Sequence, residues 1–130
     1  MISSFSSYGL SPDLALKPDI GAPGGLIYST YPLEAGAYAT LSGTSMSSPQ
    51  AAGDAALLVG AYKDEFGEPP TPGALRNAMT STAGFLPGVP AHGQGTGLID
   101  VAAAWDQLSE VAPVQPPKIT ATVPVKTVLT

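Results

Sequence analysis

The longest apolar stretch of the chain begins at Ser45 and continues to about Tyr62. Small and aliphatic residues fill it so evenly that almost no polar stripe remains, and a helix of this kind is usually buried on most of its sides. Pro49 is tolerated only in the first turn of a helix, so the helix must begin close to Ser45. Asp54 is the only charge within the stretch, and we expect it at a solvent-exposed edge or as the mark of an unusual variant.

Two shorter helices are predicted after this one. Thr71 is placed to cap the first of them, because Pro72 suits the first helical position. One face of that helix is formed by Leu75, Ala78, Met79 and Thr82. Asp100 is placed to cap the second of them, over 101–108.

The residues before the long helix predict short strands separated by turns. The β-prone runs are Ser3–Tyr8, Asp19–Ala22, Leu26–Thr30 and Tyr38–Leu41. Pro23-Gly24-Gly25 is a turn-forming triplet between two of them.

The composition changes after Glu110, which divides the chain into three parts. Residues 1–110 hold the predicted strands and helices, and 111–118 contain three prolines, as a semi-rigid linker does. Residues 119–130 alternate β-branched and polar residues, which predicts the first strand of a truncated β domain. The first strands likewise have no complete sheet to join, so we expect the chain to be a piece of a larger protein.

Charge and composition argue against several functions. The net charge is −5 with only five Lys and Arg, so no basic surface for a nucleic acid is expected. No apolar run reaches the roughly 18 residues that a membrane span needs, and the first residues do not form a signal peptide. Without cysteine there is no disulfide framework and no thiolate metal site, and we expect neither a cofactor nor a metal.

The segment that carries chemistry is Gly43-Thr44-Ser45-Met46-Ser47-Ser48-Pro49. It places Ser45 where a strand gives way to a helix. The N–H groups in the first turn of a helix have no intrahelical partners, and the helix dipole adds partial positive charge there. This arrangement suits a negative charge that develops on an oxygen beside the Ser45 hydroxyl.

This segment, with Ala51-Ala52-Gly53 after it, resembles the sequence around the active-site serine of subtilisin-like serine proteases. Other segments resemble the same family in the same order, and together they span residues 3–108. They are Phe5-Ser6-Ser7-Tyr8-Gly9, Leu16-Lys17-Pro18-Asp19-Ile20-Gly21-Ala22-Pro23-Gly24, Leu75-Arg76-Asn77-Ala78-Met79 and Gly95-Thr96-Gly97-Leu98-Ile99-Asp100. The sequence Leu16-Lys17-Pro18-Asp19-Ile20 in the second segment and the β-like tail are most similar to the corresponding parts of large secreted subtilases with a protease-associated insert.

The resemblance implies the C-terminal part of a parallel-sheet, three-layer α/β fold and a serine-type endopeptidase acting on polypeptides. Ser45 would be the nucleophile, and its own N–H would be one oxyanion donor. The family's aspartate, histidine and oxyanion-hole asparagine precede the serine, but this sequence has no His before His92 and no Asn before Asn77. The resemblance therefore implies a missing N-terminal half of the catalytic domain as partner, an inactive chain on its own, and a secreted enzyme.

Other interpretations of these residues remain open. Ser45 could be a helix cap only. An α/β-hydrolase would use Ser45, Asp64 and His92 in that order, although its nucleophile elbow needs a glycine where Ser47 stands. The chain could also be a non-catalytic remnant or an extracellular interaction module.

Three further positions favour plain structural roles. His92 is expected to be a surface turn residue, because it follows Ser45 in the wrong order for the family. Asp19 could touch a cation, but a single carboxylate more often is a solvated polar residue. The glycines of 93–97 lack the spacing and the strand–helix context of a dinucleotide-binding loop.

Overall fold

The computed structural model describes residues 1–111 and residue 113. Most of the predicted linker at 111–118 and the whole of the predicted strand at 119–130 therefore lie outside the described residues. In the part of the chain that is described, no helix is long and apolar enough to cross a membrane.

The long apolar stretch forms helix α1, Thr44–Phe66. It begins one residue before Ser45, as the sequence predicts, and continues four residues beyond Tyr62. Pro49 is its sixth residue and so lies in the second turn, later than the predicted first turn. A proline here is tolerated because its missing N–H deprives only the carbonyl group of Ser45, close to the helix start, of an intrahelical donor.

The two capped helices are confirmed. Helix α2, Pro72–Ser81, begins after Thr71, whose hydroxyl oxygen accepts the N–H of Ala74 at 3.2 Å. Helix α4, Val101–Ser109, begins after Asp100, whose carboxylate accepts the N–H of Ala103 at 3.0 Å. Between them lies a single-turn helix, α3, Ala91–Gln94.

Helices α1, α2 and α4 pack around one small core. Its buried apolar side chains are Leu58, Tyr62, Ala78, Ala104 and Leu108. Half-buried side chains from all three helices surround them, among them Phe66, Leu75 and Trp105. The Tyr62 hydroxyl closes one end of this core by donating to the carbonyl of Val111 at 2.7 Å.

The orientation of α1 differs from the sequence-based expectation in two ways. Asp54 is buried, with 7 % of its surface exposed, whereas Leu57 is 66 % exposed. The reason is the spacing of Asp54, Leu58 and Tyr62, which puts all three on the face that meets α2 and α4. Gln50, one turn earlier, donates to the Asp54 carboxylate at 3.1 Å. Within the described residues α1 is therefore buried on one face rather than on most sides.

Two of the predicted strands form a hairpin. Strand β1, Ile27–Thr30, pairs antiparallel with β2, Tyr38–Leu41, with Ile27 opposite Leu41, and a short 3₁₀ helix at Leu33–Ala35 lies between them. Ser3–Tyr8 is not a strand, since among the described segments none pairs with it in a ladder.

The predicted strand Asp19–Ala22 contributes a single parallel bridge between Gly21 and Leu98. Leu98 also bridges Gly84 in the antiparallel direction, so three segments lie side by side. Backbone hydrogen bonds of 2.7–2.9 Å join them. We call residues 21, 84 and 97–99 the three-segment ladder.

Candidate active site

Ser45 is the second residue of α1, and its side chain is exposed. Strand β2 ends at Leu41, and only Ser42 and Gly43 separate it from the helix. As members of the first turn, Thr44 and Ser45 carry N–H groups that have no intrahelical acceptor. An exposed hydroxyl therefore lies beside unpaired donors at the positive end of a 23-residue helix.

The junction between β2 and α1 is held by the turn at 24–26. The N–H of Gly43 donates to the carbonyl of Gly24 at 2.8 Å, and the N–H of Leu26 donates to the Ser42 hydroxyl oxygen at 2.8 Å. Gly24 is buried, and a β-carbon there would collide with the Ser47 hydroxyl oxygen and the Gly43 carbonyl oxygen. Only glycine allows this close approach.

A cavity of about 200 Å³ lies between the hairpin and the start of α1. Its walls are mostly apolar but include several hydroxyl groups. The lining residues are Ile27, Ser29, Thr30, Ala39, Leu41, Ser45, Met46 and Pro49. Ser45 thus stands at the edge of a concave surface, a common setting for a functional group that meets a ligand.

The three residues of an α/β-hydrolase triad are not brought together. Asp64 follows Ser45 by nineteen residues in the same helix, which separates them by roughly 28 Å along its axis. His92 is an exposed residue of α3, where its ring lies against Tyr8 with 5.8 Å between the ring centroids. The α/β-hydrolase alternative is therefore wrong. His92 is a surface residue, as expected, but in a helical turn.

Asp19 is not a simply solvated carboxylate, which corrects the sequence-based expectation. Its two oxygens each accept a charged donor at 2.6 Å, one from Lys17 and the other from Arg76 of α2. The hydrogen bond from Lys17 and the nearby Arg76 charge hold the pKa of this carboxyl below its usual value. Across residues 1–111 and 113, no three side chains of the His, Cys, Asp and Glu types come together to hold a metal ion.

The glycine cluster at 93–97 serves backbone packing. Gly95 has φ 65°, and a β-carbon there would collide with the carbonyl oxygens of Pro18 and Asp19. Gly97 has φ 126°, and a β-carbon there would collide with the Gly84 carbonyl oxygen. These glycines allow the close backbone packing at the three-segment ladder. This packing explains the glycines without a bound nucleotide.

The contact between the turn at 24–26 and the residues before α1 is the part of the site that sequence reasoning did not find. Pro23-Gly24-Gly25 predicts a turn, and Ser42 precedes the motif, but nothing local links the two. The signal that pairs them is the hairpin register, which brings residue 26 next to residue 42 once Ile27 lies opposite Leu41.

The α/β fold and the exposed serine at the start of the longest helix are consistent with the protein family that the sequence matches. The pattern of the subtilase family of peptidases matches residues 1–100, and the chain belongs to that family. The resemblance of the sequence is thereby confirmed.

Individual relatives agree with this assignment. The chain is similar to pyrolysin from Pyrococcus furiosus, with 37 % identity over 117 residues, covering 85 % of this chain and 8 % of pyrolysin. It is also similar to subtilisin DY from Bacillus licheniformis, with 41 % identity over 104 residues, covering 78 % of this chain and 32 % of that enzyme. The chain thus spans at most about a third of these relatives.

Solved structures confirm the subtilisin-like α/β fold. The structure of the prenylagaramide maturation protease PagA superposes with a TM-score of 0.57 and 30 % identity, covering 67 % of this chain and 31 % of that one. The self-cleaved protease domain of PatA gives a TM-score of 0.56 with 33 % identity, covering 71 % of this chain and 32 % of that domain.

Proposed function

We propose that this chain carries the nucleophile of a serine-type endopeptidase and that Ser45 is that nucleophile. The observation that carries the proposal is the place of Ser45: exposed, second in α1, beside unpaired N–H groups and at the edge of a cavity. Membership of the subtilase family supports peptide-bond hydrolysis as the reaction that Ser45 would serve.

In the proposed reaction, the Ser45 oxygen attacks the carbonyl carbon of a peptide bond while its proton passes to a histidine. The carbonyl oxygen becomes an oxyanion, and the N–H of Ser45 donates to it in the positive field of α1. The histidine returns the proton to the leaving nitrogen as the C–N bond breaks, which leaves an ester on Ser45. Water then hydrolyses the ester by the same steps and frees the serine.

We propose further that the histidine, the aspartate and an oxyanion-hole asparagine come from a segment other than residues 1–130. The only histidine of the chain is His92, which lies in α3, and its only asparagine is Asn77 of α2. The partner is then the other half of a subtilase catalytic domain, and the chain alone hydrolyses no peptide. An extracellular location and a polypeptide substrate complete the proposal, without a nucleic acid, a membrane or a cofactor.

A covalent probe tests the role of Ser45. The chain is joined to a segment that supplies the histidine and the aspartate and is treated with a fluorophosphonate, which labels activated serines. We expect one label, mapped by mass spectrometry to Ser45, and none in Ser45→Ala. Peptide hydrolysis should fall on the order of 10⁶-fold in that variant, because triad members act as a unit.

Ser4→Ala is the matched control, since Ser4 is an exposed turn residue, and it should keep the label. Equal labelling of wild type and Ser45→Ala would refute the assignment. A folded, assembled protein that takes no label at all would favour the non-catalytic alternative.

A further inference from the structure

The last residues before α1 make an unusual contact with the turn at 24–26. The hairpin ladder ends with the pair Ile27 and Leu41. One step beyond it, the N–H of Leu26 donates to the side-chain oxygen of Ser42 at 2.8 Å instead of to a backbone carbonyl. The side chain of Ser42, three residues before Ser45, thus takes the place of a backbone acceptor at the next position of the ladder.

Leu26 needs such a contact because of its backbone. Its φ is 52°, in the left-handed region that residues other than glycine seldom occupy. Its side chain is 80 % exposed, so side-chain packing offers little to hold this conformation. Strained conformations persist only where the surroundings determine them, and the hydrogen bond to Ser42 is a contact that can do so here.

The conformation of this turn decides where α1 begins. Two residues before Leu26, the Gly24 carbonyl accepts the N–H of Gly43 at 2.8 Å. Gly43 is the residue on which the helix starts, and its own carbonyl accepts the N–H of Met46 at 3.0 Å. The Ser42 hydroxyl is therefore hydrogen-bonded to the turn at 24–26, and this turn is hydrogen-bonded to Gly43. Gly43 in turn is hydrogen-bonded to the start of the helix that carries Ser45.

We infer that Ser42 is a positioning residue for the proposed nucleophile, an inference that rests on the proposed function. Its hydroxyl fixes the direction in which the chain enters α1, and with it the directions of the Ser45 hydroxyl and N–H. Displacements of about 1 Å at a reacting group can cost roughly 10²-fold in rate.

The test uses the assembled enzyme and separates how fast Ser45 reacts from how much enzyme is folded. The rate constant of fluorophosphonate labelling reports the first, and the final extent of labelling reports the second. For Ser42→Ala we expect labelling and kcat to be slower by about 10- to 100-fold, with KM and the final extent nearly unchanged. Ser42→Thr keeps the hydroxyl at an exposed position and should restore most of the rate.

Ser109→Ala is the matched control, because it also removes one exposed hydrogen bond that involves a serine hydroxyl. The Ser109 hydroxyl donates to the carbonyl of Asp106 at 3.0 Å. This control should label at the wild-type rate. If Ser42→Ala does not fold, Leu26→Gly is added, because glycine adopts a positive φ without strain. The double variant should then label fully but slowly.

The outcomes distinguish the two hypotheses. If the wild-type enzyme takes no label, the proposed function fails. If the wild type is labelled and Ser42→Ala, or the double variant, reacts at the same rate, Ser42 does not position the nucleophile. A lower final extent at an unchanged rate would also overturn the inference, because it would show a purely structural role.

Discussion

Met46 directly follows Ser45, is half-buried, and lines the same cavity. Oxidation of its sulfur would place a larger, polar group beside the proposed nucleophile. In the assembled enzyme we expect mild peroxide to lower turnover by up to about 10²-fold while the fold persists, because small displacements at a reacting group are costly. Met46→Ala and Met46→Ser should resist this loss. Turnover before and after peroxide, with mass spectrometry of the same samples, measures the effect.

Met79 provides the comparison for this experiment. It packs half-buried against the helical core, away from the cavity beside Ser45. The variant Met79→Leu should therefore stay as sensitive to peroxide as the wild type. A sulfoxide found at position 46 together with unchanged turnover would show that Met46 does not support the site.

The capping of α4 is the clearest local determinant among the helices. Asp100→Ala removes the carboxylate that accepts the Ala103 N–H, and we expect it to lower the free energy of unfolding by about 1 kcal/mol. Asp100→Asn should lose much less, since its amide oxygen also caps well. Denaturant unfolding of the assembled protein measures both. Asp106→Ala, at an exposed position inside α4, removes the same charge without a cap, and a loss as large as that of Asp100→Ala would contradict this explanation.

The starts of α2 and α4 could be predicted because their causes are local: Thr71 and Asp100 act on N–H groups three residues away. The end of α1 is predicted too early, at about Tyr62, whereas the helix continues to Phe66 and ends at Gly67 with φ 79°. Ser3–Tyr8 could not be resolved in this way, since β propensity alone does not supply a neighbouring strand. The burial of Asp54 could not be predicted either, because it depends on which face of an almost uniformly apolar helix meets α2 and α4.

The same distinction applies to the candidate site. The place of Ser45 at a helix start follows from its own neighbours in sequence. The contact between Leu26 and Ser42 spans sixteen residues and exists only in one hairpin register. Register is fixed by pairing and burial across strands, so a local pattern could not reveal it.

At the scale of the whole molecule, the described residues bury few apolar side chains. Five form the core, while many large ones are exposed, including Leu57 of α1 and Tyr28 and Tyr38 of the hairpin. We therefore expect residues 1–130 alone to show no cooperative thermal unfolding and no peptidase activity. Calorimetry and a peptide-hydrolysis assay measure these, and adding the other half of the domain should bring both. A cooperative transition with peptidase activity from the chain alone would contradict the expectation.

The three-segment ladder is made of main-chain hydrogen bonds, and its close approaches are made by glycines rather than by side chains. The feature that keeps its shape is therefore the absence of a side chain at Gly97 within the ladder and at Gly95 just before it. During divergence, the other ladder glycines, Gly21 and Gly84, have room for a β-carbon, with no atom closer than 3.4 Å, whereas any replacement at Gly95 or Gly97 brings a β-carbon against a backbone oxygen. Descendants of this sequence could therefore lose most of its recognisable sequence similarity and still keep the same backbone conformation at this ladder.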